Sequence, residues 1–250
     1  MILFWPGKSS QPPSVSDLGQ PPADFLSAAP EIRYPLPEAP APSAEAGQQD
    51  LPPLPALGES DPFIGDLLRQ LFNEPAQQEL LSSQHFIQRL VLIIDALPNK
   101  NLPIRHLPLR GPPGSFQTAG ETGAKVIATA NFSRYAPFVG LAEAVPPQRL
   151  AEAYLRVYPL LEQAYRELGY PRGYFHDRMI TVLDHLLATP QVTGPIPLIE
   201  HVTCYGYADP KLEALSAGQT LLRMGPENAR RVKEVLQQLR DLLAGRQAES

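Results

Sequence analysis

A single cysteine, Cys204, stands in 250 residues, which excludes an intrachain disulfide and any zinc site built from several thiolates. Basic residues are not in surplus. There are 21 Lys and Arg against 26 Asp and Glu, a net charge of −5, so a nucleic-acid-binding domain, which needs a cationic face for phosphates, is disfavoured. Long apolar runs are missing as well: the longest strongly apolar stretch, 90–94, has five residues, against the roughly 18–20 that cross a bilayer. Catalytic signatures are scarce. Gly111-Pro-Pro-Gly114 is not followed by Lys-Ser/Thr, and its prolines carry no amide to cradle an anion. There is no dinucleotide fingerprint, no HExxH and no GxSxG; Ser216 lies in Leu-Ser-Ala-Gly, without the first glycine of a nucleophile elbow. Neither a cofactor nor a metal is expected.

Proline, by contrast, is abundant and unevenly placed. Thirteen of the 30 prolines fall in residues 1–60, with seven acids and two bases. That stretch therefore carries the whole net charge, and residues 61–250 balance at 19 acids and 19 bases. Proline fixes its own φ, offers no amide and disfavours helix in the residue before it. Runs such as Pro35-Leu-Pro-Glu-Ala-Pro-Ala-Pro42 thus predict a disordered tether over residues 1–59. Leu51-Pro-Pro-Leu-Pro55 has the composition of a ligand for an aromatic groove, though a spacer needs nothing more than this composition. Residues 1–5, Met-Ile-Leu-Phe-Trp, are too short for a signal peptide. They read as a frayed end, or as the last turn of a membrane anchor missing from this chain, with Trp5 and Lys8 at the interface.

From residue 60 the pattern turns helical. Ser60-Asp61-Pro62 offers a cap and an N1 proline ahead of apolar residues at helical spacing. Pro75 opens a second helix expected to run to Leu97 and to form the centre of the core. Residues 115–118 and 125–128 predict a hairpin across the glycines of 120–123. Tyr154, Tyr158, Leu161, Tyr165 and Leu168 step by 4, 3, 4 and 3, one stripe of a helix from about 147 to 168. Further helices are expected from 174 to 188 and after Gly225-Pro226, with a single strand near 199–207 between them. Asp209-Pro210 is another cap-plus-proline start. The fold class is α+β, mainly α: one domain over 60–245 with a short hairpin and a minor strand, then a frayed 246–250.

Candidate chemistry concentrates on the helix from 174 to 188. Asp177, Thr181 and Asp184 share one face, and Arg178, Thr181 and His185 lie beside it. Asn131, Arg134 and Tyr135 are the polar residues that could face them. The first reading is an internal network, with Asp177 or Asp184 paired to Arg134 or Arg178. The second is a cleft in which Arg and Tyr hold a carboxylate, phosphate or sugar. A hydrolytic version assigns acid and base roles to Asp177, Asp184 and His185. Two carboxylates seven residues apart have Cα atoms about 10.5 Å apart along a helix, but they face one side of a substrate rather than flank it. His201 and Cys204 could share an ion only in a turn. In the expected strand they point to opposite faces, and Cys204 reads as an ordinary buried thiol.

Asn131-Phe-Ser-Arg-Tyr-Ala-Pro-Phe-Val139, Tyr158-Pro-Leu-Leu, Ala164-Tyr-Arg-Glu-Leu-Gly-Tyr-Pro-Arg-Gly-Tyr-Phe-His-Asp-Arg178, Val182-Leu-Asp-His-Leu-Leu-Ala-Thr-Pro190, Ala208-Asp-Pro-Lys-Leu-Glu-Ala-Leu-Ser-Ala-Gly-Gln219 and Leu222-Arg-Met-Gly-Pro-Glu-Asn228 together resemble a bacterial family known as domain of unknown function 3014. His176 stands where that pattern has Asn, so no family role passes to it. The resemblance implies one N-terminal membrane span, a Pro-rich linker and then this domain, on the periplasmic side of the inner membrane. A chain complete as given would instead be cytoplasmic. No activity comes with the family. The expected function is a non-enzymatic envelope module whose partner is an envelope protein or cell-wall component. Nucleic acid is not a partner, and the membrane is one only through an anchor. The alternative is a hydrolase of an envelope polymer or glycan.

Overall fold

The computed structural model describes residues 32–37, 53–201 and 204–245. The anchor remnant at 1–5, the tether readings for 1–31 and 38–52, and the frayed 246–250 lie outside them. Eight helices and two short hairpins follow one another in these residues: α1 Asp61–Leu71, α2 Pro75–Gln78, α3 Phe86–Ala96, β1 Thr118–Ala119, β2 Val126–Ile127, α4 Ala130–Glu143, α5 Pro147–Glu167, α6 Phe175–Leu187, β3 Leu198–Glu200, β4 Tyr205–Tyr207, α7 Pro210–Glu213 and α8 Pro226–Leu243. The domain is α+β and mainly helical.

The main core gathers the apolar stripes of α1, α3, α5, α6 and α8, with Ile64, Ile87, Val91, Leu161, Phe175, Ile180 and Leu243 buried in it. The tyrosine stripe of α5 faces inward and supplies the interior with polar ties. Tyr158 donates to Glu162 Oε2 at 2.8 Å, and the first amide of α6, Phe175 N, donates to the same oxygen at 2.9 Å. A buried carboxylate on α5 thus caps α6, where an anion suits the helix dipole. His176 is fully buried and bridges three helices: Tyr154 Oη lies 2.9 Å from Nδ1, and Nε2 lies 3.0 Å from the carbonyl of Leu243 at the end of α8. A carbonyl only accepts, so Nε2 carries the proton and Nδ1 accepts from Tyr154.

Several elements differ from the sequence expectation. The helix expected from Pro75 to Leu97 is two, α2 and α3. Between them Leu81 bridges Leu109, Ser82 N donates to the Pro108 carbonyl and Arg110 N to that of Leu80. His85 then turns through a left-handed φ of 47°, its amide held by Asp61 Oδ2 at 2.9 Å. A non-local strand-like pairing has outbid local helix propensity there. Ser60 does not cap α1 with its side chain. It is fully buried, and its hydroxyl donates 2.7 Å to the Leu57 carbonyl, closing the preceding 3-10 turn. Leu57 belongs to the core, Leu54 packs against it, and so do Tyr34 and Leu36. Pieces of the proline-rich segment therefore share the domain's interior. Helix α4 escapes the sequence reading because Pro137 lies within it and its buried positions, Asn131, Val139 and Leu141, mark no simple apolar stripe.

The hairpin at 115–128 forms as expected, with Thr118 opposite Ile127 and Ala119 opposite Val126. The single strand expected at 199–207 is instead a second hairpin, Leu198 opposite Tyr207 and Glu200 opposite Tyr205. Ile127 N donates to the Ile196 carbonyl and Leu198 N to that of Lys125, which joins the two hairpins edge to edge. Beneath them lies a small core of Ile127, Ile196, Leu198 and Leu212.

Candidate functional site

A cleft of about 600 Å³ opens between the start of α4 and the second hairpin. Behind its wall lies Asn131, fully buried in the first turn of α4. The side-chain amide behaves like a strand partner: Gln117 N donates to Oδ1 at 3.0 Å, and Nδ2 donates to the carbonyls of Gln117 at 2.6 Å and Ala128 at 2.9 Å. One turn later Arg134 reaches the loop before β1, with Nε on the Pro113 carbonyl and Nη2 on that of Gly114, both at 2.8 Å, and Nη1 on Asn131 Oδ1 at 2.9 Å. Three of its five N–H groups are thereby spent. Its guanidinium also lies 5.9 Å from the Tyr135 ring centre.

The opposite wall is β4. Successive strand residues alternate faces, so Tyr205 and Tyr207 point one way while Gly206 between them is buried. A Cβ at Gly206 would meet His201 Nε2 at 2.9 Å, so glycine lets the histidine lie across the hairpin. Arg223 sits between two rings, 6.0 Å from Phe116 and 5.8 Å from Tyr207, and its Nε donates to Tyr207 Oη at 3.3 Å. Its guanidinium lines the cleft. Phe116 and Tyr205 complete an aromatic wall, ring centres 6.2 Å apart. With Glu200 as the acid, the two arginines leave the lining with one positive charge in excess.

His201 N donates to the Cys204 carbonyl at 2.9 Å, so the pair does flank a turn, and both residues line the cleft. Cys204 is exposed, correcting the expectation of a buried thiol: it stands just before β4, where none of the described elements covers it. Among the described residues no group of three His, Cys, Asp or Glu side chains is placed to hold a metal ion.

The seven residues singled out in the sequence do not converge. Arg134 and Tyr135 face the cleft and Asn131 supports it, whereas none of its lining comes from α6. Apart from Thr181, whose hydroxyl donates to the Asp177 carbonyl within the helix, the candidate residues of α6 have partners elsewhere. Arg178 holds Asp95 of α3, through Oδ1 at 2.8 Å and the carbonyl at 2.6 Å. Asp184 receives Arg240 of α8 at 2.8 Å and 3.3 Å; that hydrogen bonding, with the charge of the same carboxylate and against the opposing effect of burial, raises the pKa of Arg240. Asp177 receives the amides of Arg33 and Tyr34. An internal network thus exists, but its ion pairs use Asp95 and Arg240 rather than Arg134.

His185 Nε2 lies 2.7 Å from Ser216 Oγ, a nucleophile-and-base spacing. The serine is otherwise engaged. Its Oγ accepts from Gln219 N while Gln219 Oε1 accepts from Ser216 N, both at 3.3 Å, a reciprocal capping box on the 3-10 turn Gly218–Met224. Gln219 Nε2 also donates to the His185 carbonyl at 3.2 Å. The dyad fastens that turn to α6, and Ser216 is buried. Phe116, Arg223, Tyr205 and Tyr207 carry the cleft together with Arg134. In the sequence only the shared face of Tyr205 and Tyr207 signals this, since Phe116 and Arg223 arrive from distant segments.

Fold and site define a mainly helical α+β domain that presents an arginine-flanked aromatic cleft beside joined hairpins. A family model described as protein of unknown function (DUF3014) matches residues 86–240, more than half of the chain. The protein belongs to that family. No curated protein and no solved structure matches the chain.

Proposed function

We propose that this domain is a non-enzymatic binding module of the bacterial cell envelope, and that the cleft between α4 and β4 seats a wall component carrying sugar rings and a carboxylate or phosphate. One observation carries the reading: two arginines and four aromatic rings converge on an open volume of about 600 Å³, while the acids of α6 are bound to other parts of the fold. Arginine offers planar N–H pairs to an anion, and aromatic faces stack on the apolar face of a sugar ring. In this reading the proline-rich segment spaces the domain from its anchor. Residues 32–37 touch the domain, so in this reading the spacer is the segment before them.

Titration of the full chain with soluble anionic wall oligosaccharides tests the seat. Saturable binding is expected, weakened at least tenfold by Arg223→Ala with the melting temperature unchanged, and bound ligand should slow alkylation of Cys204 in the cleft. Binding that ignores Arg223→Ala and Tyr207→Ala rejects the cleft. Turnover of the same oligosaccharides that disappears in folded Asp177→Asn or Asp184→Asn chains would favour a hydrolase instead.

A further inference from the structure

Residues 32–37 are Ile-Arg-Tyr-Pro-Leu-Pro, and their backbone donors are fully accounted for after the first. Arg33 N donates to Asp177 Oδ2 at 3.0 Å, Tyr34 N to Asp177 Oδ1 at 2.8 Å and Leu36 N to Tyr174 Oη at 3.1 Å; Pro35 and Pro37 have no amide to place. A bend at Arg33 and Tyr34 turns two successive amides toward one carboxylate. Every acceptor is a side chain from the start of α6, so the segment is held as a ligand is held, without joining a sheet. Tyr34, Leu36 and Pro37 are half-buried, and the first two pack against the main core, whereas Ile32, Arg33 and Pro35 stay exposed. Both anchors precede a proline, which already disfavours helical conformations and so reduces the ordering that binding must impose.

We propose that the surface around Tyr174 and Asp177 is a peptide-binding site for proline-punctuated segments of the type aromatic-Pro-apolar-Pro, and that residues 32–37 are its tethered occupant. The site reads a backbone pattern of two donors, a gap, one donor and a gap. A residue other than proline at the gaps brings an amide that the site offers no acceptor, and it loses the preset extended backbone that proline gives the residue before it. The connection of fifteen residues to Pro53 gives an effective concentration in roughly the millimolar range, so even a modest intrinsic affinity keeps the seat filled. The site is separate from the cleft and does not depend on it.

Two measurements on the full chain test this. In amide exchange, Asp177→Ala is expected to lower the protection of Arg33 and Tyr34 at least tenfold, and Tyr174→Phe that of Leu36 alone. In a titration, a labelled synthetic peptide spanning residues 30–38 is expected to bind a chain carrying Tyr34→Ala and Leu36→Ala at least tenfold more tightly than the unmodified chain, whose seat is taken. Adding Asp177→Ala, or replacing Pro35 of the peptide by Ala, should abolish the gain. A chain with both alanines that melts normally yet fails to bind the peptide overturns the proposal. So does one that no longer folds, because the segment is then an ordinary part of the core. Protection of the 33 and 34 amides that appears only as the chain dimerises would assign the occupant to a second copy and overturn the tethered arrangement.

Discussion

Glu162 is the group whose removal should be felt most. The residue is 8% exposed, yet its carboxylate accepts from Tyr158 Oη, from Phe175 N and from Arg166. Phe175 is fully buried and Tyr158 nearly so, so Glu162→Ala leaves an amide and a hydroxyl without an acceptor and without water. Each orphaned donor costs about 1–3 kcal/mol, and together they set a loss of about 2–6 kcal/mol. Against a total of about 5–15 kcal/mol, and at roughly 2–4 °C per kcal/mol for a domain of this size, the melting midpoint should fall by about 10 °C. The ion pair to Arg166 is a minor part of this, because that side chain is 59% exposed and solvent screens such a pair to about 0–1 kcal/mol. Arg166→Ala should accordingly cost less than about 1 kcal/mol. Urea denaturation followed by far-UV dichroism measures both. A Glu162→Ala loss no larger than that of Arg166→Ala would falsify the assignment of this acid as the cap of α6.

Burial lowers the pKa of His176 in the folded chain, outweighing its bond to the Leu243 carbonyl, while the unfolded chain keeps the ordinary value near 6.5. Below pH 6.5 the unfolded chain binds more protons, so stability is full above that pH and declines as pH falls toward the folded pKa. The denaturation midpoint should show that decline, and His176→Asn, which keeps one donor and one acceptor on a shorter arm, should flatten it. Gly225 has φ 89°, and an added Cβ would lie 2.6 Å from Phe132 Cδ1. Gly225→Ala should therefore cost roughly 3 kcal/mol through strain and overlap, visible as a lower thermal midpoint.

Much of the fold was legible because its signals are local. The steps of α5, the inner face of α6, the capped start of α7 at Asp209, whose Oδ1 accepts from Lys211 N, and the glycine-proline start of α8 each lie within one or two turns of chain. The turn signals at 120–123 likewise located the first hairpin. The second hairpin read as one strand because residues 201–204, between its strands, include no glycine or proline to announce a turn. Helix α4 carries an internal proline and a buried asparagine, both arguing locally against what the joined hairpins stabilise.

The candidate residues divide along the same line. Spacing put Asp177, Arg178, Asp184 and His185 on neighbouring faces of one helix, and there they are. Their partners, Asp95, Arg240, Ser216 and the amides of residues 33 and 34, lie between 31 and 144 positions away. No periodicity within a helix contains that information. The sequence by itself determined the inner faces of α5, α6 and α8, because apolar spacing acts over a few residues, whereas its change of composition near residue 60 does not mark the edge of the core, into which Tyr34, Leu36, Leu54 and Leu57 pack. Only the tertiary structure decided which charges meet, where Arg134 and Arg223 open a cleft, and that residues 32–37 lie on α6. Those are encounters between distant segments, settled by which acceptors the folded surface leaves open to a buried donor.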